Sequence, residues 1–326
     1  MRIRSLVNIL LFLLGVSILG LMVVLADPSE IWEASKKTDW KFTVSGLVVF
    51  TSYLFVRSLR WHAMVKVIKE DVSWKDFMPV YFLNFMISNI TPGRSGEAAA
   101  PFLMKRHVGS ETGMGFSVVI VDRILDILFT VGLAVLGFVY CVVFLDLPRN
   151  LIIAFYPAIA VLVAMTGVMI MITLWRKGAF AFSTAFTNVF FRKRQKQLLD
   201  GLDSFYEGLK TLRQRKVMPK LLTYATLSWF LLGFSYFLRV RAVLDSSALL
   251  PILSCWIISL CIGMASFIPS GLGSSQASFA YLLSLMGNRF EYATAAALLT
   301  KFIALGVIFL LGLSSLFWLK HSEGRH

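Results

Sequence analysis

Long apolar stretches constrain this chain more than any other feature of its sequence. Several run for roughly 20 residues or more, the length that an α-helix needs to cross about 30 Å of hydrocarbon at about 1.5 Å per residue. Only 15% of the residues are charged and 57% are hydrophobic, whereas soluble domains carry about 25% charged residues. The pattern predicts an all-α polytopic membrane protein.

Six of the stretches are long enough to be full transmembrane crossings. They cover residues 5–26, 40–66, 113–145, 151–175, 220–243 and 291–319. The first is long for the apolar core of a signal peptide, and Asp27-Pro28 after it makes a weak cleavage site. We therefore interpret it as a helix, with a signal peptide as the alternative.

A shorter apolar segment, Phe77–Ile90, spans only about 14 residues, or roughly 21 Å of helix, which is too short to cross. It ends at the sequence Pro92–Gly96, and a short helix over 97–107 is predicted to follow. Pro lacks a backbone N–H and Gly tolerates unusual dihedral angles, so the helix is expected to break at this sequence.

A second segment, 249–268, repeats this design, because it ends at Pro269–Gly273 and precedes a predicted short helix over 274–286. Broken backbone at membrane depth is tolerated only inside protein or beside a wet cavity. We therefore predict two re-entrant helical hairpins, 77–107 and 249–286.

The two halves of the chain also share a spacing pattern. In each half a proline is followed, within one residue of the same distances, by two glycines and a basic residue: Pro92, Gly96, Gly109 and Arg123, then Pro269, Gly273, Gly287 and Lys301. Three crossings separate the predicted hairpins, so they are expected to enter from opposite faces. This predicts an inverted repeat of residues 1–145 and 146–326, a plan common in secondary transporters, with chance spacing as the alternative.

Basic residues set the predicted orientation. With the N-terminus inside, inner segments hold 22 Lys and Arg and outer segments hold 7, which by the positive-inside rule places both termini in the cytoplasm of a plasma or inner membrane. Because the net charge of +14 lies mostly beside apolar spans, we exclude nucleic acid as a partner. The inner segment 176–220 contains an amphipathic stretch, 195–216, interpreted as an interfacial helix on an anionic leaflet, with a solvated hairpin as the alternative.

Charged residues within the apolar spans require an explanation, since the insertion of each one at the bilayer centre costs about 3 kcal/mol. The helix N-termini after both breaks, together with Arg123 and Lys301, predict an anion site suited to a phosphate. The alternative is a set of neutralising ion pairs. The predicted binding residues are Arg94, Ser95, Gly96, Glu97, Asp122, Arg123, Asp126, Gly271, Gly273, Ser274, Ser275 and Lys301.

Two further basic pairs, Arg57 with Arg60 and Arg239 with Arg241, are predicted to reach the inner and outer membrane interfaces. A second interpretation is that they hold lipid phosphates at the two leaflets and give head groups access to the site. The cysteines all fall in apolar spans, and we find no spacing typical of a metal site or of a cofactor-binding motif.

Five motifs together suggest a relationship to known proteins. They are Arg57–Trp61, Asn84–Glu97, Asp122-Arg123 with Asp126, Pro269–Gly273 and the late basic residue Lys301. With them the chain resembles the flippase-like family that includes the transmembrane region of lysylphosphatidylglycerol synthetase/flippase. That family usually has an acid, an arginine and a glycine where this chain has Gln276, Lys301 and Ser270. We expect this chain to lack the soluble aminoacyl-transferase domain of the synthetases.

The resemblance implies movement of lipids or lipid-linked head groups between leaflets. We therefore expect a flippase-like transporter of an anionic or phosphate-bearing lipid and not an enzyme. One alternative is an intramembrane lipid-modifying enzyme with Glu97 or Asp122 as acid and base. Another is a non-transporting scaffold for a lipid glycosyl- or aminoacyl-transferase. Membrane lipids are the expected partners, with a lipid-modifying enzyme as a further candidate.

Overall fold

The computed structural model describes residues 2–144, 149–190, 195–214, 216–244 and 248–323, and this part of the chain contains helices but no strand. The predicted boundary between the repeats, at residues 145 and 146, lies outside the described residues. The α-helices are α1 (Arg2–Leu25), α2 (Pro28–Lys36), α3 (Trp40–Ile68), α4 (Trp74–Ile90), α5 (Ala100–Val108), α6 (Thr112–Phe144), α7 (Arg149–Leu174), α8 (Arg176–Phe190), α9 (Gln195–Leu212), α10 (Met218–Arg241), α11 (Leu249–Ala265), α12 (Ser274–Leu285) and α13 (Phe290–Glu323).

The predicted membrane architecture is confirmed. Among the described residues, five helices are long and apolar enough to cross a membrane, namely α3, α6, α7, α10 and α13. A sixth candidate consists of α1 and α2, joined at a bend of 84°. At this bend Asp27 has a φ of 53° and its side chain caps α2 by accepting a hydrogen bond from the Ser29 backbone N–H. The re-entrant course of the two hairpins, their entry from opposite faces and the inverted repeat stay predictions.

The break after α4 is a 3₁₀ segment, Pro92–Ala99, which we call the first turn. Gly93 and Arg94 both adopt left-handed backbone conformations there, with φ of 56° and 57°. The Gly96 N–H donates to the Thr91 hydroxyl at 2.7 Å. Because 3₁₀ geometry extends through Ala99, the returning helix α5 begins at Ala100, three residues later than predicted.

The break after α11 is shorter and consists of the 3₁₀ segment Pro269–Gly271, the second turn. Ser270 has a φ of 55°, an unusual value for a non-glycine residue. Helix α12 begins at Ser274 as predicted. Its N-terminal backbone is fixed because the Gly273 N–H donates to the Gln276 side-chain oxygen at 2.8 Å.

Helices from the two predicted repeats pack closely at the centre of the molecule, where α3 lies along α10. A Cβ atom on Gly46 of α3 would lie 2.6 Å from Cγ of Arg239 and 3.1 Å from the Ser235 carbonyl oxygen of α10. Glycine is therefore what permits this approach. The first and second turns also contact each other, so the two breaks lie side by side within the bundle.

The amphipathic stretch packs partly against the protein, and its interfacial role stays a prediction. Helix α9 packs on α6, and its apolar side chains Phe205, Tyr206, Leu209 and Leu212 are buried inside the protein. The Ser204 hydroxyl donates to the Glu111 carboxylate at the start of α6. This part of the apolar face therefore covers another helix, because α6 extends far enough to offer it an apolar surface, whereas Leu198 near the start of α9 is exposed.

Candidate functional site

A cavity of about 420 Å³ lies where the two turns meet. Side chains from α3, α4, α6, α7 and α10 to α13 complete its walls. Its lining includes the exposed residues Gly93, Ser95 and Phe267, so the cavity reaches the protein surface beside the turns.

The turns are joined by direct contacts. The Ser270 hydroxyl of the second turn donates to the Asn89 side-chain oxygen of α4 at 3.3 Å. A Cβ atom on Gly93 of the first turn would lie 3.0 Å from the Phe267 ring. The Lys301 ammonium group, on α13, donates to the carbonyl oxygen of Ser270 at 2.5 Å and to its hydroxyl at 2.9 Å. Lys301 therefore holds the second turn in place.

Four charged side chains form a compact cluster between α3 and α6. Arg57 pairs with Asp122 at 3.2 Å and also with Asp126. Arg60 pairs with Asp126 at 2.7 Å and also with Asp122. Arg57 also donates to the Tyr53 hydroxyl at 2.9 Å. Each carboxylate therefore faces two guanidinium groups.

Arg123 connects this cluster to the first turn. Its Nε atom lies 2.6 Å from the Glu97 carboxylate, and its Nη2 atom lies 3.1 Å from the Asp126 carboxylate, three residues further along α6. Glu97 and Arg123 are 5% and 8% exposed. The first turn is therefore fixed to α6 by a buried ion pair, just as the second turn is fixed to α13 by Lys301.

The predicted interfacial position of Arg57 and Arg60 is wrong. Their exposed fractions are 4% and 0%, so neither side chain reaches a membrane surface, while their role in head-group access stays a prediction. The reason is the pair of carboxylates on α6, which neutralise both guanidinium groups within the bundle, because a buried charge needs a partner. Removing both from the inner count leaves 20 basic residues there, still well above the outer count.

The predicted interfacial position of Arg239 is also wrong, because this side chain is 3% exposed and lines the cavity, while its role in head-group access stays a prediction. It donates to the Thr300 carbonyl oxygen at 2.7 Å and to the Ser235 carbonyl oxygen at 3.1 Å. Its guanidinium lies over the Phe50 ring at 4.9 Å. Arg241 is half-buried, lies over Phe42 at 5.4 Å and does not line the cavity.

The remaining predicted binding residues divide into two groups. Those that line the cavity are Arg94, Ser95, Glu97, Arg123, Gly271, Ser275 and Lys301. Those that do not are Gly96, Asp122, Asp126, Gly273 and Ser274. Of the second group, Asp126 borders an adjoining space of about 40 Å³ that also contacts Arg57, Arg94 and Arg123.

Both glycines of the second group have packing roles. A Cβ atom on Gly96 would lie 2.8 Å from the Ile87 carbonyl oxygen, at the end of α4. On Gly273 it would lie 2.9 Å from Cβ of Ile18 on α1. The hydroxyls of Ser274 and Ser275 donate to the Gly271 carbonyl oxygen, so these groups stabilise the second turn, whereas the sequence suggested donors for a ligand.

Sequence reasoning missed several lining residues, including Tyr53, Asn89 and Tyr236. It also missed the partnership of α3 with α6, although a signal for it exists. The arginines are three residues apart on α3 and the aspartates four apart on α6, so each pair occupies one helix face. Two such complementary faces in apolar helices indicate a buried cross-helix ion-pair cluster.

The sequence matches the family described as lysylphosphatidylglycerol synthase TM region over residues 9–312. The chain belongs to this family. Similar curated proteins include a UPF0104 membrane protein of Methanothermobacter thermautotrophicus, 24% identical over 94% of this chain and 94% of its own. A second, from Pyrococcus horikoshii, is 22% identical over 93% of this chain and 94% of its own. A third, from Methanocaldococcus jannaschii, is 23% identical over 90% of this chain and 89% of its own.

No solved structure matches the chain. The family match and the membrane-protein relatives agree with the apolar helices in indicating a multi-pass membrane protein. The family description is also compatible with a role that involves membrane lipids.

Proposed function

We propose that the protein is a flippase-like transporter that moves a lipid with an anionic, phosphate-bearing head group between leaflets. The observation that carries this proposal is the cavity where the turns meet, because cationic side chains from both predicted repeats line it. Arg94 and Arg123 come from the first repeat, and Arg239 and Lys301 from the second. A head group held there would contact both halves at once, as alternating access around a fixed site requires.

The walls of the cavity also suit a lipid. Apolar side chains of α6, α7 and α13, among them Ile120, Leu162 and Ile308, surround the charged region. A lining that combines basic and apolar side chains suits a head group that remains attached to hydrocarbon while it moves. We place both termini on the cytoplasmic side, on the strength of the basic residues in the inner segments.

The state of the acids favours transport over chemistry on the lipid. Glu97, Asp122 and Asp126 are each ion-paired with an arginine. A general base has to be available to accept a proton, and an acid held by a guanidinium is poorly suited to that role. We therefore propose that the lipid is moved without being modified.

The test is a lipid translocation assay with the purified protein in proteoliposomes. Acyl-labelled phosphatidylglycerol and phosphatidic acid would be bleached by dithionite from outside, and the lipid would be analysed afterwards by mass spectrometry. We expect faster loss of inner-leaflet label than in protein-free vesicles, with unchanged lipid mass. The variant Arg239→Gln should slow this loss, whereas Lys220→Gln, at an exposed position of α10, should not.

Translocation at the protein-free rate by a folded wild-type protein would contradict the proposal. A chemically altered lipid would favour the enzyme instead. The absence of both, together with co-purification of a lipid-modifying transferase, would favour a scaffold.

A further inference from the structure

We infer that the cavity takes a lipid head group with two or more negative charges, a phosphomonoester or a diphosphate, in preference to a singly charged phosphodiester. The inference rests on the proposed function, because it treats the cavity as the head-group site. It goes further by specifying the charge of the head group.

The charge balance of the site is the first argument. Among the described residues, six basic side chains lie around the turns, and they divide into two sets of three. Arg57, Arg60 and Arg123 are paired with the three acids of the site. Arg94, Arg239 and Lys301 line the cavity, and no acid is paired with any of them in the described part of the chain. Three basic side chains without an acidic partner therefore remain for a ligand.

The hydrogen-bond donors of these three residues support the same conclusion. A guanidinium has five N–H donors and an ammonium has three. Arg239 uses three donors, on Ser235 and Thr300. Lys301 uses two donors on Ser270, while no side-chain hydrogen bond joins Arg94 to another described residue. The cavity therefore keeps several charged donors, enough for the many oxygens of a phosphomonoester or a diphosphate.

The energetics of burial then select the ligand charge. A phosphodiester would bring one negative charge and leave two of the three cations uncompensated. A phosphomonoester carries about −1.5 to −2 at neutral pH, and a diphosphate carries more. Since an uncompensated charge in a low-dielectric site is costly, the head group with more negative charge should bind more tightly.

The apolar walls distinguish a lipid from a soluble phosphate. Met165 and Met169 of α7, with Met264 of α11, line the cavity beside the charged region. Methionine side chains are flexible and polarisable, so they adapt to hydrocarbon of irregular shape. Inorganic pyrophosphate has no hydrocarbon to contact these side chains, whereas the acyl chains of a lipid phosphate do contact them.

The test uses the full chain in nanodiscs of phosphatidylcholine. Matched dioleoyl lipids with three head groups would be titrated in: phosphatidylglycerol, phosphatidic acid and diacylglycerol pyrophosphate. Inorganic pyrophosphate would be a fourth probe, and binding would be followed by the midpoint of thermal unfolding. We expect phosphatidic acid and diacylglycerol pyrophosphate to bind at least about tenfold more tightly than phosphatidylglycerol.

Matched variants connect this preference to the cavity. Arg94→Gln and Arg239→Gln each remove one cation from the lining and should reduce the ratio of phosphatidic acid to phosphatidylglycerol affinity. Lys220→Gln removes one exposed cation from α10 and should leave the ratio unchanged. A ratio lowered equally by all three variants would mean general attraction to anionic lipid and would overturn the inference.

Three other outcomes would each overturn a different claim. Equal affinity for phosphatidylglycerol and phosphatidic acid, with normal translocation of both, would overturn the charge preference while the proposed function stands. Binding of inorganic pyrophosphate as tight as that of the lipids would overturn the lipid part of the inference. A protein that neither binds nor moves any of the lipids would contradict the proposed function itself.

Discussion

The two sides of the cavity use buried charge in different ways. On the first-turn side, arginines of α3 and α6 meet the acids Glu97, Asp122 and Asp126 in a neutral ion-pair cluster. On the second-turn side, Arg239 and Lys301 donate to backbone and hydroxyl oxygens of Thr300, Ser235 and Ser270. Neither is paired with an acid in the described part of the chain.

This difference separates a structural role from a binding role. A neutral cluster holds helices in register and has little charge left for a ligand. Cations satisfied only by carbonyl oxygens have their hydrogen bonds but not their countercharge, so an anion can still stabilise them. Removal of a charge from the ion-pair cluster should therefore affect the fold first. Removal of a cation that has no acidic partner among the described residues, Arg94, Arg239 or Lys301, should affect transport first.

The largest effect is expected from Asp126→Asn. This change leaves Arg57, Arg60 and Arg123 with one acid fewer, and loss of one partner from a buried pair costs about 3–5 kcal/mol. Thermal unfolding in detergent should show a much lower midpoint or no folded protein. The control is Asp203→Asn, which removes an exposed pair with Arg176, where ion pairs contribute little. Equal stability of the two variants would contradict the prediction that the ion-pair cluster stabilises the fold.

The close approach of α3 and α10 gives the second prediction. Gly46→Ala places a methyl group against Arg239 and Ser235 and should lower the free energy of unfolding by about 1–3 kcal/mol through overpacking. Gly132→Ala, in α6, meets nothing within 4 Å and should stabilise by up to about 1 kcal/mol through helix propensity. Chemical unfolding in a fixed detergent measures both. A Gly46→Ala variant as stable as Gly132→Ala would contradict the packing.

The third prediction concerns Lys301. Lys301→Met removes a cavity cation and the hydrogen bonds to Ser270, so translocation should fall about tenfold, or about 1.4 kcal/mol. Stability should fall by about 2 kcal/mol, because two hydrogen bonds are lost and each contributes about 1 kcal/mol net. Lys301→Arg keeps the charge and should retain most of the transport. Normal transport by folded Lys301→Met would break the distinction between the two sides.

The smallest effect on stability is expected at Arg94. Its left-handed backbone, with φ of 57°, costs a non-glycine residue about 1–2 kcal/mol, and glycine removes that cost at some loss of chain entropy. Arg94→Gly should therefore unfold at the same or a slightly higher temperature than wild type, while lipid binding weakens. A clear fall in the unfolding temperature would show that the Arg94 side chain supports the fold.

Much of the fold follows from the sequence, since apolar length and helix-breaking residues act locally. The helices α3, α6, α10 and α13 begin and end within two residues of prediction, apart from the last, which extends to Glu323. The start of α5 was placed too early because an isolated sequence does not distinguish a 3₁₀ segment from α-helix.

The site was less predictable, because pairing across helices depends on which faces meet. The sequence shows that Asp122 and Asp126 share a face, but it does not show that α3 brings Arg57 and Arg60 to them. Arg239 was assigned to an interface because it lies near the end of α10. The contact at Gly46 places it inside the bundle instead, and only the tertiary packing reveals that.

The most direct test is an experimental structure of the protein in nanodiscs that contain phosphatidic acid. The account predicts a phosphate between the first and second turns, within hydrogen-bond distance of Arg239 and Lys301, while Arg57 and Arg60 remain paired with Asp122 and Asp126. A phosphate bound instead at Arg57 and Arg60, with the space between the turns free of lipid, would contradict it.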